Sequence, residues 1–416
     1  MKSTPVRFLL TFILAALTLR SLAAEPQWSR FRGPNGCGAS DVSTIPTAWS
    51  AKDYRWRVSL PGIGYSSPVI WEDRLYITCT IEEQSRLIIL CLSTTDGSVL
   101  WSTSVNCKPH PKYKANIDAS TTPALDVERL YAAWATPDEH VVIALDRIQG
   151  RELWRRDLGP YVAEDGFGAS PVLAGDVLVV ANDQDEGGTS SYLGLDRATG
   201  QTRWTIDRES KKASFSTPCV LQPAGGRAQV ILTSCAHGIT SLDAATGRKN
   251  WELPVFEVRA TGSPLVAGGM IFATNGVGTS GRYLVAARPG VPEQGAQAAE
   301  LYRIKEAVPY VPTPVARWPL VFLWSDRGVA TCIDGPTGKV HWRQRVGGEY
   351  LASPIRAGDA IYGNSKSGEM VVLAAADKYQ VLARIDLGEP TNSTPAVADG
   401  VMYLRTLSHV MALGGK

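Results

Sequence analysis

The sequence predicts an all-β fold: a single eight-bladed β-propeller of four-stranded antiparallel blades. Three observations support this prediction. A Ser/Thr-Pro step recurs eight times at intervals of 40 to 55 residues, which indicates an array of supersecondary units. Three short apolar runs follow each step, and most units end in a Gly-containing turn and a Trp. The last unit lacks a fourth strand, while a spare strand precedes the first unit, so the ring can close on itself.

The repeated steps mark the start of each innermost strand, because the first apolar run of every unit follows the Pro directly. They are Ser67-Pro68, Thr122-Pro123, Ser170-Pro171, Thr217-Pro218, Ser263-Pro264, Thr313-Pro314, Ser353-Pro354 and Thr394-Pro395. Eightfold repetition argues against a nucleophilic role for these hydroxyls. We expect them to serve blade geometry by bonding nearby backbone.

The fourth run of most units carries a Trp four residues after the turn glycine, which takes the positive φ that such turns need. We predict that these Trp side chains pack between adjacent blades. They are Trp101, Trp154, Trp204, Trp251 and Trp342, with Trp56 in the spare strand.

The spare strand, residues 54–59, is predicted to complete blade 8 and remove an exposed sheet edge. Two blades depart from the pattern. In the fifth, Tyr302 replaces Trp and residues 289–299 form an insertion. In the seventh, an aliphatic residue near Leu382 replaces Trp.

The N-terminus is typical of a secretory signal, predicted over residues 1–24. Lys2 and Arg7 precede a 12-residue apolar run, Phe8 to Leu19, which is short for a membrane span. An uncleaved anchor is the alternative, and no Cys stands at the cleavage site to accept a lipid. Residues 25–53 are predicted to form an extended arm on the propeller surface without strands, and residues 54–416 to form the propeller. We expect an exported chain, periplasmic or secreted, with no transmembrane segment after cleavage.

Composition excludes some classes of partner and site. Lys and Arg total 42 against 40 Asp and Glu, a net charge of +2, which gives no bulk attraction to nucleic acid. The seven cysteines form no CxxC pattern, so metal and haem sites lack support. Cys79 and Cys91 lie on neighbouring strands; a bridge between them and buried free thiols are both open.

Ligand binding is expected in the central funnel, lined by residues that precede the innermost strands. An aromatic, cationic and anionic mixture there indicates a polar-ligand site; a funnel filled only by water is the alternative. The candidates are Tyr65, Asp118, Asp165, Lys212, Phe215, Arg259, Tyr310, Glu349, Tyr350 and Asn392.

Two loops are further candidates for ligand or metal binding. The long segment from Trp101 to Pro123 contains Lys108, His110, Lys112 and Lys114, and suggests a basic lip for anionic ligands or an ordinary solvated loop. Carboxylates at Asp183, Asp185 and Glu186 suggest calcium but lack the EF-hand spacing; an acidic hairpin loop is the alternative. No catalytic arrangement of Ser, His and Asp is readable, so no catalytic residue is assigned.

The run from Leu-Asp through Thr-Gly to Trp resembles the tryptophan-docking motif of the pyrroloquinoline-quinone (PQQ) repeat. The clearest copies are Ala144 to Trp154, Gly194 to Trp204, Ser241 to Trp251 and Cys332 to Trp342. Residues 31–36, Phe-Arg-Gly-Pro-Asn-Gly, resemble the start of secreted bacterial PQQ-like propellers. The resemblance implies either PQQ-dependent dehydrogenases or non-catalytic BamB-type propellers. The dehydrogenases usually carry a Cys-Cys pair and a calcium site of Glu, Asn and Asp; the BamB type carries a lipid-accepting Cys. This chain has neither Cys feature.

These observations favour an exported, monomeric, non-catalytic propeller that binds a protein or a small polar ligand in the cell envelope, with no cofactor. One alternative is a PQQ-dependent, dehydrogenase-like oxidoreductase that holds PQQ and Ca²⁺ in the funnel. Another is a propeller that binds or cleaves glycans.

Overall fold

The computed structural model describes residues 28–113, 116–210, 212–223, 226–278 and 280–415. The predicted signal peptide lies outside these ranges. Eight antiparallel sheets of four strands form the eight predicted blades, and one sheet gains a fifth, parallel strand. Within the described ranges the helices are short 3-10 turns at Pro34–Gly36, Ala51–Asp53, Glu82–Gln84, Asp118–Ser120 and Pro292–Gln294. None of the described helices is long and apolar enough to cross a membrane.

The chain begins with β1 (Ala39–Ser40) and β2 (Tyr54–Ser59) and then builds the blades in order. Blade 1 comprises β3 (Val69–Trp71), β4 (Arg74–Ile81), β5 (Arg86–Ser93) and β6 (Val99–Asn106). Blade 2 comprises β7 (Ala124–Leu125), β8 (Arg129–Ala135), β9 (His140–Asp146) and β10 (Glu152–Asp157). Blade 3 comprises β11 (Val172–Ala174), β12 (Val177–Asn182), β13 (Ser190–Asp196) and β14 (Thr202–Arg208). Blade 4 comprises β15 (Cys219–Leu221), β16 (Gln229–Ser234), β17 (Gly238–Asp243) and β18 (Lys249–Leu253).

The second half repeats the arrangement. Blade 5 comprises β19 (Leu265–Ala267), β20 (Met270–Val277), β21 (Ser280–Arg288) and β22 (Ala299–Ile304). Blade 6 comprises β23 (Val315–Arg317), β24 (Leu320–Trp324), β25 (Val329–Asp334) and β26 (Val340–Arg345). Blade 7 comprises β27 (Ile355–Ala357), β28 (Ala360–Asn364), β29 (Glu369–Ala374) and β30 (Val381–Asp386). Blade 8 comprises β31 (Ala396–Ala398), β32 (Val401–Arg405) and β33 (His409–Gly414).

Strand β2 supplies the fourth strand of blade 8, which confirms the predicted closure. It pairs antiparallel with β33, and Trp56 stands opposite Ala412. The backbone groups of β33 that would otherwise form a free edge are therefore bonded.

The hydroxyls before each Pro form a closed ring of hydrogen bonds. The backbone N–H of Ser67 donates to Thr122 Oγ1 at 2.9 Å, and that of Thr122 donates to Ser170 Oγ at 3.0 Å. The same bond joins every pair of neighbouring blades. A short hydroxyl side chain is needed at each step because it satisfies a buried N–H of the preceding blade.

Five of the six docking Trp side chains bond the turn of the next blade. Trp154 donates its indole N–H to the Arg197 carbonyl at 3.1 Å, and its ring lies against Gly200, where a Cβ would come within 2.6 Å. Trp56, Trp101, Trp204 and Trp342 bond the next turn in the same way. Trp251 departs from the rule, since it donates to the Gln229 side chain at 3.2 Å.

The irregular blades keep or lose this contact in different ways. Tyr302 preserves it, because its hydroxyl donates to the Gly335 carbonyl and its ring contacts Gly338. In blade 7 Ala383 stands opposite Val372, where other blades place Trp, next to the predicted position at Leu382.

The described part of the N-terminal arm, residues 28–53, differs from the strand-free surface segment predicted over residues 25–53. Strand β1 pairs in parallel with β27, with Ala39 opposite Arg356. Residues 28–38 cross the propeller axis: the Trp28 carbonyl accepts from Ile70 in blade 1, and Arg32 donates to Pro314 and Pro354 carbonyls of blades 6 and 7. Arg32 is fully buried. Burial is tolerated because those carbonyls replace the water molecules that would accept hydrogen bonds from an exposed guanidinium.

All seven cysteines are free thiols and five are buried. Cys79 stands opposite Ile88, and Cys91 stands opposite Tyr76. The two residues are three positions out of register on β4 and β5, so the bridge left open by the sequence does not form.

Candidate functional site

The candidate site is the central funnel, a cavity of about 580 Å³. Segments that lead into the innermost strands form its wall, together with hairpins of blades 5 and 6. Phe31 of the arm and most hydroxyls of the Ser/Thr ring also line it. The arm therefore contributes to the cavity surface, a role that its sequence did not indicate.

Six of the ten predicted funnel residues line the cavity, and four lie elsewhere. Those that line it are Tyr65, Asp165, Phe215, Arg259, Tyr310 and Asn392. Asp118, Lys212, Glu349 and Tyr350 do not line it. Their role in ligand binding stays a prediction for the first group and has no geometric basis for the second.

Asp118 lies outside the funnel, where it contacts the long loop before blade 2. Its carboxylate lies 2.9 Å from Lys112 Nζ and 3.8 Å from His110 Nδ1, and its side chain is buried. The prediction of a basic lip is therefore wrong for Lys112, whose charge this carboxylate neutralises. The loop still borders the funnel through Tyr113 and Asn116, and the Asn116 amide donates to the Asp165 carbonyl at 2.8 Å.

The other three displaced residues have clear positions. Tyr350 is buried against Trp324, with ring centroids 5.2 Å apart. Glu349 is exposed and lies 3.8 Å from Lys366 Nζ. Lys212 lies 3.5 Å from Glu164 and lines a side cavity next to the funnel.

One arginine unit of the funnel joins three predicted residues from different blades. Arg259 bonds Asp165, and its guanidinium lies 5.5 Å from the centre of the Phe215 ring. Asp185 stands on the buried side, 3.6 Å from Arg259 Nη2. Burial lowers the pKa of Arg259, but the bond with Asp165 and the nearby Tyr310, Asp165 and Asp185 raise that pKa above its ordinary value. The guanidinium is thus a fixed cation on an aromatic face.

A second arginine unit was missed by the sequence analysis. Arg282 Nη1 lies 3.0 Å from Asp326 Oδ2, and its guanidinium lies 5.5 Å from the centre of the Tyr310 ring. Asp326 also accepts the backbone N–H groups of Tyr310 at 2.7 Å and Val311 at 3.1 Å. Both charges come from hairpins between second and third strands, whereas the sequence search used only residues before Ser/Thr-Pro. A search that included charged residues of these hairpins would have found Arg282 and Asp326.

Two of the three carboxylates of the predicted calcium loop, Asp183 and Asp185, are buried and bonded within the protein, whereas Glu186 is exposed. Asp183 is fully buried, accepts the Tyr192 hydroxyl at 3.0 Å and lies 3.6 Å from Arg208. Asp185 accepts the backbone N–H groups of Glu164 and Ala213, each at 2.8 Å. Across the described ranges, no group of three His, Cys, Asp or Glu side chains is placed to hold a metal ion.

The funnel presents aromatic, cationic and amide groups that suit a polar ligand. Neither His nor Cys occurs among the described residues that line it, and Asp326 is committed to an arginine and two backbone N–H groups. Aromatic faces, two fixed guanidinium groups and the Asn392 amide can together stack against and hydrogen-bond a polar molecule.

Comparison with known proteins agrees with this architecture. The sequence profile of the family described as outer membrane protein assembly factor BamB matches residues 85–298 and 311–381, well over half of the chain. No curated protein gives a significant match to this sequence.

Solved propellers are similar in fold at low identity. BamB from Moraxella catarrhalis is 17% identical with a TM-score of 0.61, over 86% of this chain and 96% of that chain. A quinohemoprotein alcohol dehydrogenase from Comamonas testosteroni is 14% identical with a TM-score of 0.63, over 95% of this chain and 82% of that chain. At these identities the similarity shows the fold alone.

Proposed function

The chain belongs to the family of the outer membrane protein assembly factor BamB, and from this premise we propose that it is a non-catalytic binding propeller of the cell envelope. Its ligand is a small polar molecule held in the central funnel. The predicted signal peptide supports the location.

The observation that carries this proposal is the pair of arginine units in the funnel. Arg259 and Arg282 are both largely buried, and each lies over an aromatic ring. Ordering a guanidinium in a cleft costs side-chain entropy and desolvation, which a role in ligand recognition would explain. The cavity volume, about 580 Å³, falls in the range of about 300–1,000 Å³ typical of small-molecule sites.

The two units differ in how firmly the carboxylate is held. Asp326 is fixed by two backbone N–H groups as well as by Arg282. Asp165 is more exposed than Asp326, at 30% against 13% of the side chain, and its side chain bonds Arg259. A ligand oxygen can therefore share Arg259 with Asp165, while Asp185 continues to balance the charge. Polar oxygens beside a flat apolar face are the groups that this wall would recognise.

Quinone-dependent oxidation is the second candidate, because the structural neighbours include quinohemoprotein alcohol dehydrogenases. The residues do not fit the calcium-bound quinone that this candidate requires. The two funnel carboxylates are each bonded to an arginine, no cluster of metal ligands occurs in the described chain, and the sequence has no Cys-Cys pair.

The test is calorimetric titration of the purified full chain with amino acids, dicarboxylates, mono- and disaccharides, and PQQ with Ca²⁺. We expect saturable binding of at least one polar compound, weakened by Arg259→Gln and by Phe215→Ala. Lys339→Gln, at an exposed turn of blade 6, is the matched control and should bind normally. Unchanged ligand affinity in both funnel variants would refute the site. Stoichiometric PQQ binding with dye-linked alcohol oxidation would favour the dehydrogenase instead.

A further inference from the structure

A second cavity lies between blades 5 and 6, and Arg282 lines both this cavity and the funnel. Its volume is about 590 Å³. The end of β22 and the following loop form one side, and the hairpin between β24 and β25 together with the end of β26 forms the other. Val308 and the ring of Tyr283 are buried within it. We call it the basic cleft, for its cationic side chains Arg282, Arg303, Lys305, Arg327 and Arg345.

The charge of the cleft is strongly unbalanced. Five cationic side chains and one carboxylate, Glu257, line it. Two of the cations are neutralised nearby: Arg282 by Asp326 at 3.0 Å, and Arg303 by Glu300 at 2.8 Å. In the described part of the chain, no carboxylate forms an ion pair within 4.0 Å of Lys305, Arg327 or Arg345. The whole protein carries a net charge of only +2, so this excess is local.

Two arginines of the cleft contact neighbouring groups. The Arg303 guanidinium lies 4.1 Å from the centre of the Tyr283 ring and forms two bonds with Glu300, at 3.0 and 2.8 Å. Arg345 Nη1 donates to the Arg327 carbonyl at 3.5 Å, so the two unpaired arginines come from adjoining backbone. Like charges gathered in one concavity repel one another, and a cleft of one sign concentrates the potential felt by a counter-ion.

We propose that the basic cleft is a binding site for a phosphoryl group, supplied by a free phosphate ester or by a phosphorylated lipid headgroup. Arginine forks match the tetrahedral oxygens of phosphate and bond them in pairs. Arg327 and Arg345 provide the forks, and Lys305 adds a mobile charge from the opposite side. A divalent anion neutralises the remaining positive charge of the cleft, whereas a single carboxylate would neutralise only part of it.

The test uses pyrophosphate as the probe, titrated calorimetrically into the full chain at low ionic strength. The double variant Arg327→Gln/Arg345→Gln should weaken binding about tenfold or more, since each lost charge-assisted bond is a strong one. Both side chains are exposed, so the melting temperature should change little and confirm that the variant is folded. Lys339→Gln removes an exposed charge from the same blade and should retain binding within about twofold, as expected for a surface charge outside the site.

Two results would overturn the proposal: no saturable binding by the unmodified chain, or equal affinity in the double variant. A vesicle arm separates the two sources. Flotation with phosphatidylcholine vesicles that contain phosphatidic acid, but not with phosphatidylcholine alone, would assign the site to a headgroup. Pyrophosphate binding without flotation would assign it to a soluble phosphate ester. The funnel variants Arg259→Gln and Phe215→Ala should leave pyrophosphate binding intact, so failure of either site is recognised separately.

Discussion

The backbone N–H of Thr394 donates a hydrogen bond to Ser67 Oγ at 3.1 Å. The two residues are separated by almost the whole propeller in sequence and are adjacent in space. This bond is the last of eight, and it joins blade 8 to blade 1 through the same contact that joins every other pair. The ring is therefore closed twice, once at the axis by this hydroxyl and once at the rim by β2.

Replacing Ser67 with Ala should lower the free energy of unfolding by about 1–3 kcal/mol, because the buried N–H of Thr394 loses its acceptor. Chemical denaturation measures the change. Ser102→Ala, at an exposed position of β6, should alter stability by no more than about 0.5 kcal/mol. Equal effects at the two positions would mean that the hydroxyl ring contributes nothing measurable.

Trp204→Ala should destabilise the protein by about 3–5 kcal/mol, the usual cost of removing a large buried aromatic side chain. The ring is 7% exposed and joins blade 3 to blade 4 through the Ala244 carbonyl at 3.2 Å. Trp204→Phe keeps an aromatic face against Gly247 but loses the N–H, so its cost should be smaller. Thermal and denaturant unfolding of both variants give the comparison, and an alanine variant as stable as the parent would contradict inter-blade docking.

Gly200→Ala should cost more stability than Gly175→Ala, although both glycines have positive φ, +71° and +62°. Strain from the left-handed backbone is common to both and amounts to about 1–2 kcal/mol. A Cβ at Gly200 would approach the Trp154 ring to 2.6 Å, whereas a Cβ at Gly175 meets no atom within 4 Å. The difference between their unfolding free energies therefore isolates the Trp–Gly contact. Identical values would show that the turn yields without cost.

Stability should decrease as pH falls from about 6.5 to 4 because of His140. Its ring is fully buried, and burial lowers the pKa of His140 to about 4 from 6.5. The unfolded chain then binds more protons than the folded chain in this window, so acid favours unfolding; the full effect is about 3 kcal/mol. His140→Gln should reduce the loss of unfolding free energy between pH 7 and pH 4.5, while the exposed His341→Gln control should not. An unchanged slope in His140→Gln would exclude this group as the cause.

The repeat made the blades predictable. Ser/Thr-Pro, the turn glycine and Trp are short-range features whose spacing reports the blade directly, so the eight sheets and the closing strand β2 followed from the sequence. The same reasoning predicted that Arg259, Asp165 and Phe215 line the funnel, because equivalent positions of a ring converge on its axis; the contacts among them came from the structure. That reasoning did not find Arg282 and Asp326, which reach the funnel from hairpins of variable length.

The sequence by itself determined the architecture and the inter-blade contacts, since these depend on residues that recur in register. Only the tertiary structure decided which charges remain available. Lys112 and Asp118 both look like site residues in the sequence, but they neutralise each other at 2.9 Å. Arg32 looks like part of a surface arm, but it crosses the axis and is buried among carbonyls of blades 6 and 7. Arg327 and Arg345 have no distinguishing sequence context, but folding brings them into one cleft, where no carboxylate of the described residues forms an ion pair with them. Charge pairing acts over a few ångströms between residues far apart in the chain, and local sequence carries no record of that distance.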